Sequence, residues 1–255
     1  ENKSIRFGLL PITMVNRRIV DQIKKARTTP FQDFFTFVAK VYSSTITQPV
    51  ITSFIKAGAC DHWGYSRAVL LANVDKAIAF AKQIDDFKQS AGSLFTINPV
   101  TPAYIDIEPS SKMEELGWER EVLGFYFSGH PIENVKERLA PFHRTTLIQA
   151  EPSRKANRVG VLVKALKKIT TKKGKAMAFF IGSDETEECE CVVFPTVWKD
   201  VETVLTEGSL VLLSGVVEER EGKKQFIVQK AIDLNQLPST ESKQFLHVHI
   251  EKEQD

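Results

Sequence analysis

Seven cations and no acid lie between Arg158 and Ser183: Arg158, Lys164, Lys167, Lys168, Lys172, Lys173 and Lys175. Cations at that density, without carboxylates among them, are the electrostatic footprint of a phosphate-rich partner. Lys172, Lys173 and Lys175 crowd around Gly174, Phe179 follows, and Lys223-Lys224 stands near the end of the same region. Ammonium groups neutralise phosphates, and an exposed ring stacks on a base for about 1–3 kcal/mol. Lys164, Lys167, Lys168, Lys172, Lys173, Lys175, Phe179, Lys223 and Lys224 are therefore the candidates for holding a single nucleic-acid strand. The competing reading makes Phe179 a core residue and the lysines a solvated turn.

Other chemistries find less support. Two-metal phosphoryl transfer needs carboxylates held about 4 Å from two cations. Asp85-Asp86 at a helix end, and Asp184-Glu185 with Glu187-Glu188 in a strand turn, offer no such constellation and read as solvated loops. No catalytic residue is assigned, and no cofactor is expected within this stretch. Cys189-x-Cys191 and His247-x-His249 pair metal-type ligands on one strand face, but zinc sites use wider, loop-based spacing, and strand alternation explains both pairs. His130, ahead of Pro131, reads as a cap or packing residue rather than a base. Three cysteines give no disulfide framework and fit a reduced, cytoplasmic setting. No apolar run reaches membrane-spanning length and no secretory signal is present, so membrane and secreted classes are set aside.

The elements that must carry these residues follow from the hydrophobic pattern. Val159–Thr170, Ala176–Gly182 and Glu190–Phe194 read as strands, Thr196–Leu205 as a helix, and Ser209–Glu219 and Lys224–Leu234 as two more strands around a Glu221-Gly222 turn. Three strands, a helix and two strands is the order of an OB-fold barrel. Phe179 shares a strand face with Met177 and Ile181, and Phe180 lies on the other; alternation alone leaves open which of the two is the outer one.

Upstream, Ile19, Ile23 and Ala26 keep helical spacing, as do Phe34, Val38 and Val41 after a Thr28-Thr29-Pro30 start signal. Helices are predicted at Val50–Ala59 and Ser66–Phe87, another from Ser110 or Ser111 to about Phe127, and a short one at Ile132–Leu139. The fold class is thus α+β and multidomain. It comprises a helical domain over 1–88, an extended linker over 89–111, a helical connector over 112–157, the barrel over 158–237, and the start of a further region over 238–255. The absent initiator Met leads us to expect a piece of a longer protein. Residues 1–95 carry thirteen Lys or Arg against seven Asp or Glu, a second basic region.

Four separated stretches resemble one family. They are Ile5–Leu9, the Ile55-Lys56-Ala57-Gly58-Ala59-Cys60-Asp61 run with Arg67 and Leu70-Leu71, Leu123–Pro131, and Ile169–Phe179. In this order they resemble the bacterial DNA polymerase III alpha subunit, a DNA-directed DNA polymerase (nucleotidyltransferase), in its low-GC Gram-positive form. The resemblance covers Ile5 to Leu234 and implies the C-terminal part of that subunit, with its catalytic aspartates and two Mg ions upstream. No catalysis is then expected from this stretch.

The resemblance also implies that the face of Phe179 is the outer one, with Phe180 in the core, and it implies three contacts. A helix-hairpin-helix motif over Leu10–Ile23 would bind duplex DNA, with Arg17, Arg18, Lys24 and Lys25 as phosphate partners. The family's Gly-Val-Gly hairpin is here Met14-Val15-Asn16, and Met tolerates a left-handed backbone poorly. The competing view is a helical pair kept for packing. Ser93, Leu94 and Phe95 stand where the family carries a sliding-clamp peptide, with Ala91 in place of its Gln; packing on their own domain explains them equally well. The expected partners are single-stranded template, primer–template duplex, the clamp and further replication proteins, at no membrane. Two rivals remain: a stand-alone single-strand-binding module, and a protein-interaction platform whose DNA contact is incidental.

Overall fold

Residues 7–91, 100–220 and 222–237 are described by the computed structural model. The first helices begin where side chains close their ends. Asn16 accepts from the Ile19 amide at 3.1 Å and opens α1 (Arg17–Ala26). Asp33, rather than Thr28-Thr29-Pro30, opens α2 (Phe34–Val41): its carboxylate accepts from the Thr36 amide at 2.7 Å, and the Thr36 hydroxyl answers the Asp33 amide. Pro49 lies in the first turn of α3 (Gln48–Lys56).

The single helix expected over Ser66–Phe87 is two. α4 (Arg67–Ala72) ends at Asn73, and α5 (Val74–Ala91) follows. Asn73 is fully buried, and its side-chain amide meets both backbone groups of Ile105 at 2.9 Å. Serving that distant segment takes this residue out of the helix, a tertiary demand that local periodicity cannot carry. Tyr104 joins the same attachment, its ring centroid 4.8 Å from Phe35 and 3.9 Å from Tyr65. Residues 103–105 of the expected linker are thus pinned to the helices.

α6 (Lys112–Leu123) starts with a Ser111–Glu114 capping box. It stops four residues before Phe127, because Gly124 turns left-handed at φ 83°. Val122 is buried in the helical core and its carbonyl accepts from the Thr13 amide at 2.8 Å. The chain divides into units at 128/129, so α6 belongs to the helical unit instead of to a 112–157 connector. Phe34, Phe35, Val38, Ile51, Phe54 and Leu70 form the centre of that unit.

In the second unit, the helix expected over Ile132–Leu139 is a 3-10 turn at Pro131–Val135 followed by α7 (Lys136–Leu139). His130 caps the turn, its Nδ1 accepting from the Ile132 amide at 3.2 Å, while Nε2 lies 3.2 Å from Ser183 Oγ. Burial, with Lys164 nearby, lowers the His130 pKa from its ordinary value.

Five strands close the barrel in the order β1-β2-β3-β5-β4. They are β1 (Ser153–Thr170), β2 (Ala176–Ser183), β3 (Glu188–Val193), β4 (Leu210–Arg220) and β5 (Lys223–Asp233). β1 starts six residues before Val159, since exposed polar residues there pair through their backbone with β4. The parallel β3–β5 pair, with Cys191 opposite Phe226, closes the cylinder. Val161, Phe180, Cys191, Leu213, Phe226 and Trp198 of α8 (Pro195–Val201) fill it. α8 ends before the expected Leu205, which remains buried in the turn that follows. Gly215 allows the closest strand approach: a Cβ there would stand 2.0 Å from the Ile227 carbonyl oxygen. Among the described residues no helix is long and apolar enough to cross a membrane.

Candidate nucleic-acid interface

The lysine-rich turn is built by the ends of β1 and β2. The Thr171 amide donates to the Lys175 carbonyl at 2.8 Å, and the Thr171 hydroxyl accepts from the Lys175 amide at 3.2 Å. This tight closure pushes Lys172, Lys173 and Lys175 out into solvent. No carboxylate among the described residues pairs with any of the three, nor with exposed Lys167 and Lys223.

Three further candidates are engaged. Lys164 is held by Glu188 at 2.7 Å. Lys224 donates to the Ile148 carbonyl at 3.3 Å and lies 3.7 Å from Glu187. Lys168 sits over the Trp198 ring, 5.3 Å from its centroid. The acidic segment explains the first two, because it neutralises cations that β1 and β5 bring alongside it.

Phe180 is 1% exposed and Phe179 half-buried, so Phe179 is on the outer face. It stands opposite Lys167 on β1 and Val192 on β3, and Val192 in turn opposes Ile227 on β5. The result is an outward row in which half-buried Phe179 and Ile227 flank a buried Val192, with a cation at one end. Such a row can stack bases while lysines at its margin meet phosphates.

The acids of the β2–β3 turn are not the solvated loop that their sequence suggests. Asp184 is 4% exposed and accepts from the amides of Leu147, Thr186 and Glu187 at 2.6–3.0 Å. Glu185 takes both nitrogens of Arg144, and although burial pushes its carboxyl up, those hydrogen bonds hold it below its ordinary pKa. Cys189 and Cys191 face the barrel interior, where burial raises both thiols, Cys189 to about 11. His247 and His249 lie outside the described residues.

In the hairpin, Met14 adopts the left-handed conformation at φ 68° with its side chain 62% exposed. Asn16 is extended at φ −123° and serves as the helix cap. The left-handed conformation that Met tolerates poorly is thus taken by Met14 itself, while Asn16 is committed to the Ile19 amide. Val15 between them is buried. Arg17 and Arg18 open α1, where amides lack an intrahelical acceptor and favour an anion. Lys24 and Lys25 stand in its last turn, about 10 Å further along the axis. All four are exposed, yet the helix separates them into two pairs.

Sequence reasoning missed two features. Arg154 and Lys155 are exposed on the early part of β1, beside the β4–β5 hairpin that carries Lys223. Their only signal is two adjacent cations before the first apolar strand residue. The second is a buried ion network in the helical unit. Arg67, 4% exposed, donates to Glu119 at 2.9 Å, to Asp61 at 2.8 Å and to the Lys56 carbonyl at 3.3 Å. Glu119 is fully buried and also accepts from the Phe127 and Ser128 amides at 2.7 and 2.8 Å. Burial raises its pKa, but these donors together bring it below the ordinary value. Two of the sequence stretches that looked distinctive, around Asp61 and Phe127, are thereby tied together as framework. Ser93, Leu94 and Phe95 fall outside the described residues.

Residues 1–70 match a helix-hairpin-helix motif family, and residues 158–234 match the OB-fold nucleic acid binding domain. Fold and matches together define a helical helix-hairpin-helix region joined to an OB-fold nucleic-acid-binding domain. Over its full length the chain is 36% identical to the DNA polymerase III subunit alpha of Halalkalibacterium halodurans and 35% identical to that of Bacillus subtilis. In Aquifex aeolicus the subunit of the same name is 31% identical, again over the whole chain. Along its whole length the chain is thus similar to part of the bacterial DNA polymerase III alpha subunit. It spans 23% of the length of the Halalkalibacterium and Bacillus relatives and 21% of the Aquifex one.

Proposed function

We propose that this chain is the non-catalytic, DNA-holding part of a replicative DNA polymerase III alpha subunit. The barrel holds the single-stranded template: Lys167, Lys172, Lys173, Lys175 and Lys223 meet phosphates, and Phe179 stacks on a base. Lys164, Lys168 and Lys224 support the face from its edge, through their partners. Arg17 and Arg18 at the start of α1 hold a duplex phosphate, and Lys24 and Lys25 a second phosphate further along. Ser93, Leu94 and Phe95 attach the polymerase to its sliding clamp. Polymerisation, with its two Mg ions, belongs to parts of the subunit outside this chain.

One observation carries the reading. Lys172, Lys173 and Lys175, with no acid partner among the described residues, gather in one closed turn that leads into the strand of the outward Phe179, whereas Lys164 and Lys224 are engaged by Glu188 and Glu187. Fluorescence anisotropy of the 255-residue chain with a labelled single strand and a matched duplex, across a salt series, tests it. Both forms are expected to bind, with affinities that fall steeply as salt rises. Absence of binding to either at low salt overturns the reading in favour of an interaction platform. Clamp attachment is tested separately, by surface-plasmon binding to the immobilised clamp before and after Leu94→Ala with Phe95→Ala.

A further inference from the structure

A cavity of about 630 Å³ opens in the helical unit beneath the C-terminal end of α1. Its floor and walls are Ile23, Phe31, Phe37, Phe54 and Trp63, an aliphatic and aromatic lining that the DNA-holding reading does not use. The mouth differs in character. Arg27 and His62 line it, no carboxylate does, and Lys40 lies 5.9 Å from the Phe31 ring centroid. No carboxylate among the described residues pairs with Arg27. The Trp63 indole N–H is already given to the Phe31 carbonyl at 3.3 Å.

An apolar cavity with a cationic mouth selects a ligand that is apolar at its tip and anionic at its flank. A nucleobase fits this lining poorly. A base edge buried in the floor needs hydrogen-bond partners, and among the described lining side chains only Arg27 and His62, at the mouth, could supply them. An acidic peptide with an aromatic anchor satisfies both parts: the ring fills the cavity and a neighbouring carboxylate meets Arg27. We propose that this cavity is a docking site for an acidic, aromatic-anchored segment of a partner protein. The inference is independent of DNA binding by the barrel and stands or falls separately.

The probes are fluorescein-labelled Glu-Asp-Phe-Asp-Glu, its neutral counterpart Gln-Asn-Phe-Asn-Gln and its anchorless counterpart Glu-Asp-Ser-Asp-Glu, titrated against the 255-residue chain. The acidic Phe peptide is expected to bind several-fold more tightly than either control. Ala59→Leu, which adds bulk to the cavity wall, should weaken it about tenfold, close to the worth of a partly buried anchor. Arg27→Ala, at an exposed position, should weaken it by about three- to fivefold, the scale of one exposed ion pair. Because cavity filling can disturb folding, Arg27→Glu supplies a second test: preference should shift towards Lys-Lys-Phe-Lys-Lys. Equal binding of the neutral peptide, indifference to Arg27→Glu, or displacement of the peptide by adenosine 5′-monophosphate would overturn the proposal.

Discussion

The two units handle charge differently. In the helical unit, charge goes inside: Arg67 and Glu119 are buried and join the end of α3, the start of α4, the middle of α6 and the turn at Phe127-Ser128. In the barrel unit the cylinder interior is apolar; buried Asp184 is satisfied by backbone amides rather than by a cation, and Glu188, Glu185 and Glu187 engage Lys164, Arg144 and Lys224 nearer the surface. What separates a framework ion from a ligand-binding one is therefore its partner, not its residue type. Arg67 is saturated by carboxylates and a carbonyl, whereas Lys172, Lys173 and Lys175 are left to solvent.

Glu119→Ala should produce the largest effect. Removing one partner of a buried pair leaves Arg67 with only the half-exposed Asp61 carboxylate and strips the Phe127 and Ser128 amides of their acceptor, at a cost of about 3–5 kcal/mol. Chemical denaturation should show it, with the loss confined to the helical transition if the units unfold separately. Glu188→Ala, which frees Lys164 at the exposed rim, should cost about 1 kcal/mol or less. Equal costs would break the contrast between the units.

Adjacent phenylalanines sharpen the same contrast within the barrel. Phe180→Ala should destabilise by about 3–5 kcal/mol through loss of core packing. Phe179→Ala should cost far less stability and instead lower single-strand affinity by about 1–3 kcal/mol. Calorimetry and anisotropy on the two variants read these separately, and a reversed order would place Phe179 in the core.

Acid should act on the helical unit through Glu119. Its folded pKa lies below the ordinary value, so its contribution is complete above the unfolded carboxylate pKa of about 4.3 and is lost as pH falls through the folded value. A Tm series from neutral to acidic pH should show a drop for the native chain that is reduced in Glu119→Gln. The smallest effect is expected at the hairpin. Met14→Gly removes a left-handed non-glycine residue but increases unfolded-state entropy, for a net gain of about 0.5 kcal/mol.

Much of the barrel was legible because strand alternation is local. The five strands and the opposite facing of Phe179 and Phe180 follow from period-two patterning, and the helix between the third and fourth from the helical spacing of Val197, Val201, Val204 and Leu205. The break at Asn73 was not, since it arises from hydrogen bonds to Ile105, 32 residues away. The pairing of Lys164 with Glu188 was hidden for the same reason: 24 residues separate them, and only strand register brings them together. At the hairpin Met14 looked poorly suited to a left-handed backbone, yet it adopts one, while capping the helix holds Asn16 extended. Lys24 and Lys25 seemed to continue Arg17 and Arg18, yet a ten-residue helix places the pairs at its two ends.

The central claim is that single-strand binding depends on the three unpaired lysines of the β1–β2 turn. It is tested most directly by the salt dependence of single-strand affinity for the native chain and for a variant carrying Lys172→Ala, Lys173→Ala and Lys175→Ala. Three lost phosphate contacts should flatten the slope of log affinity against log salt by about 2, at a rate near 0.7 per contact. An unchanged slope, with unchanged affinity, would contradict the account and move the strand to another surface.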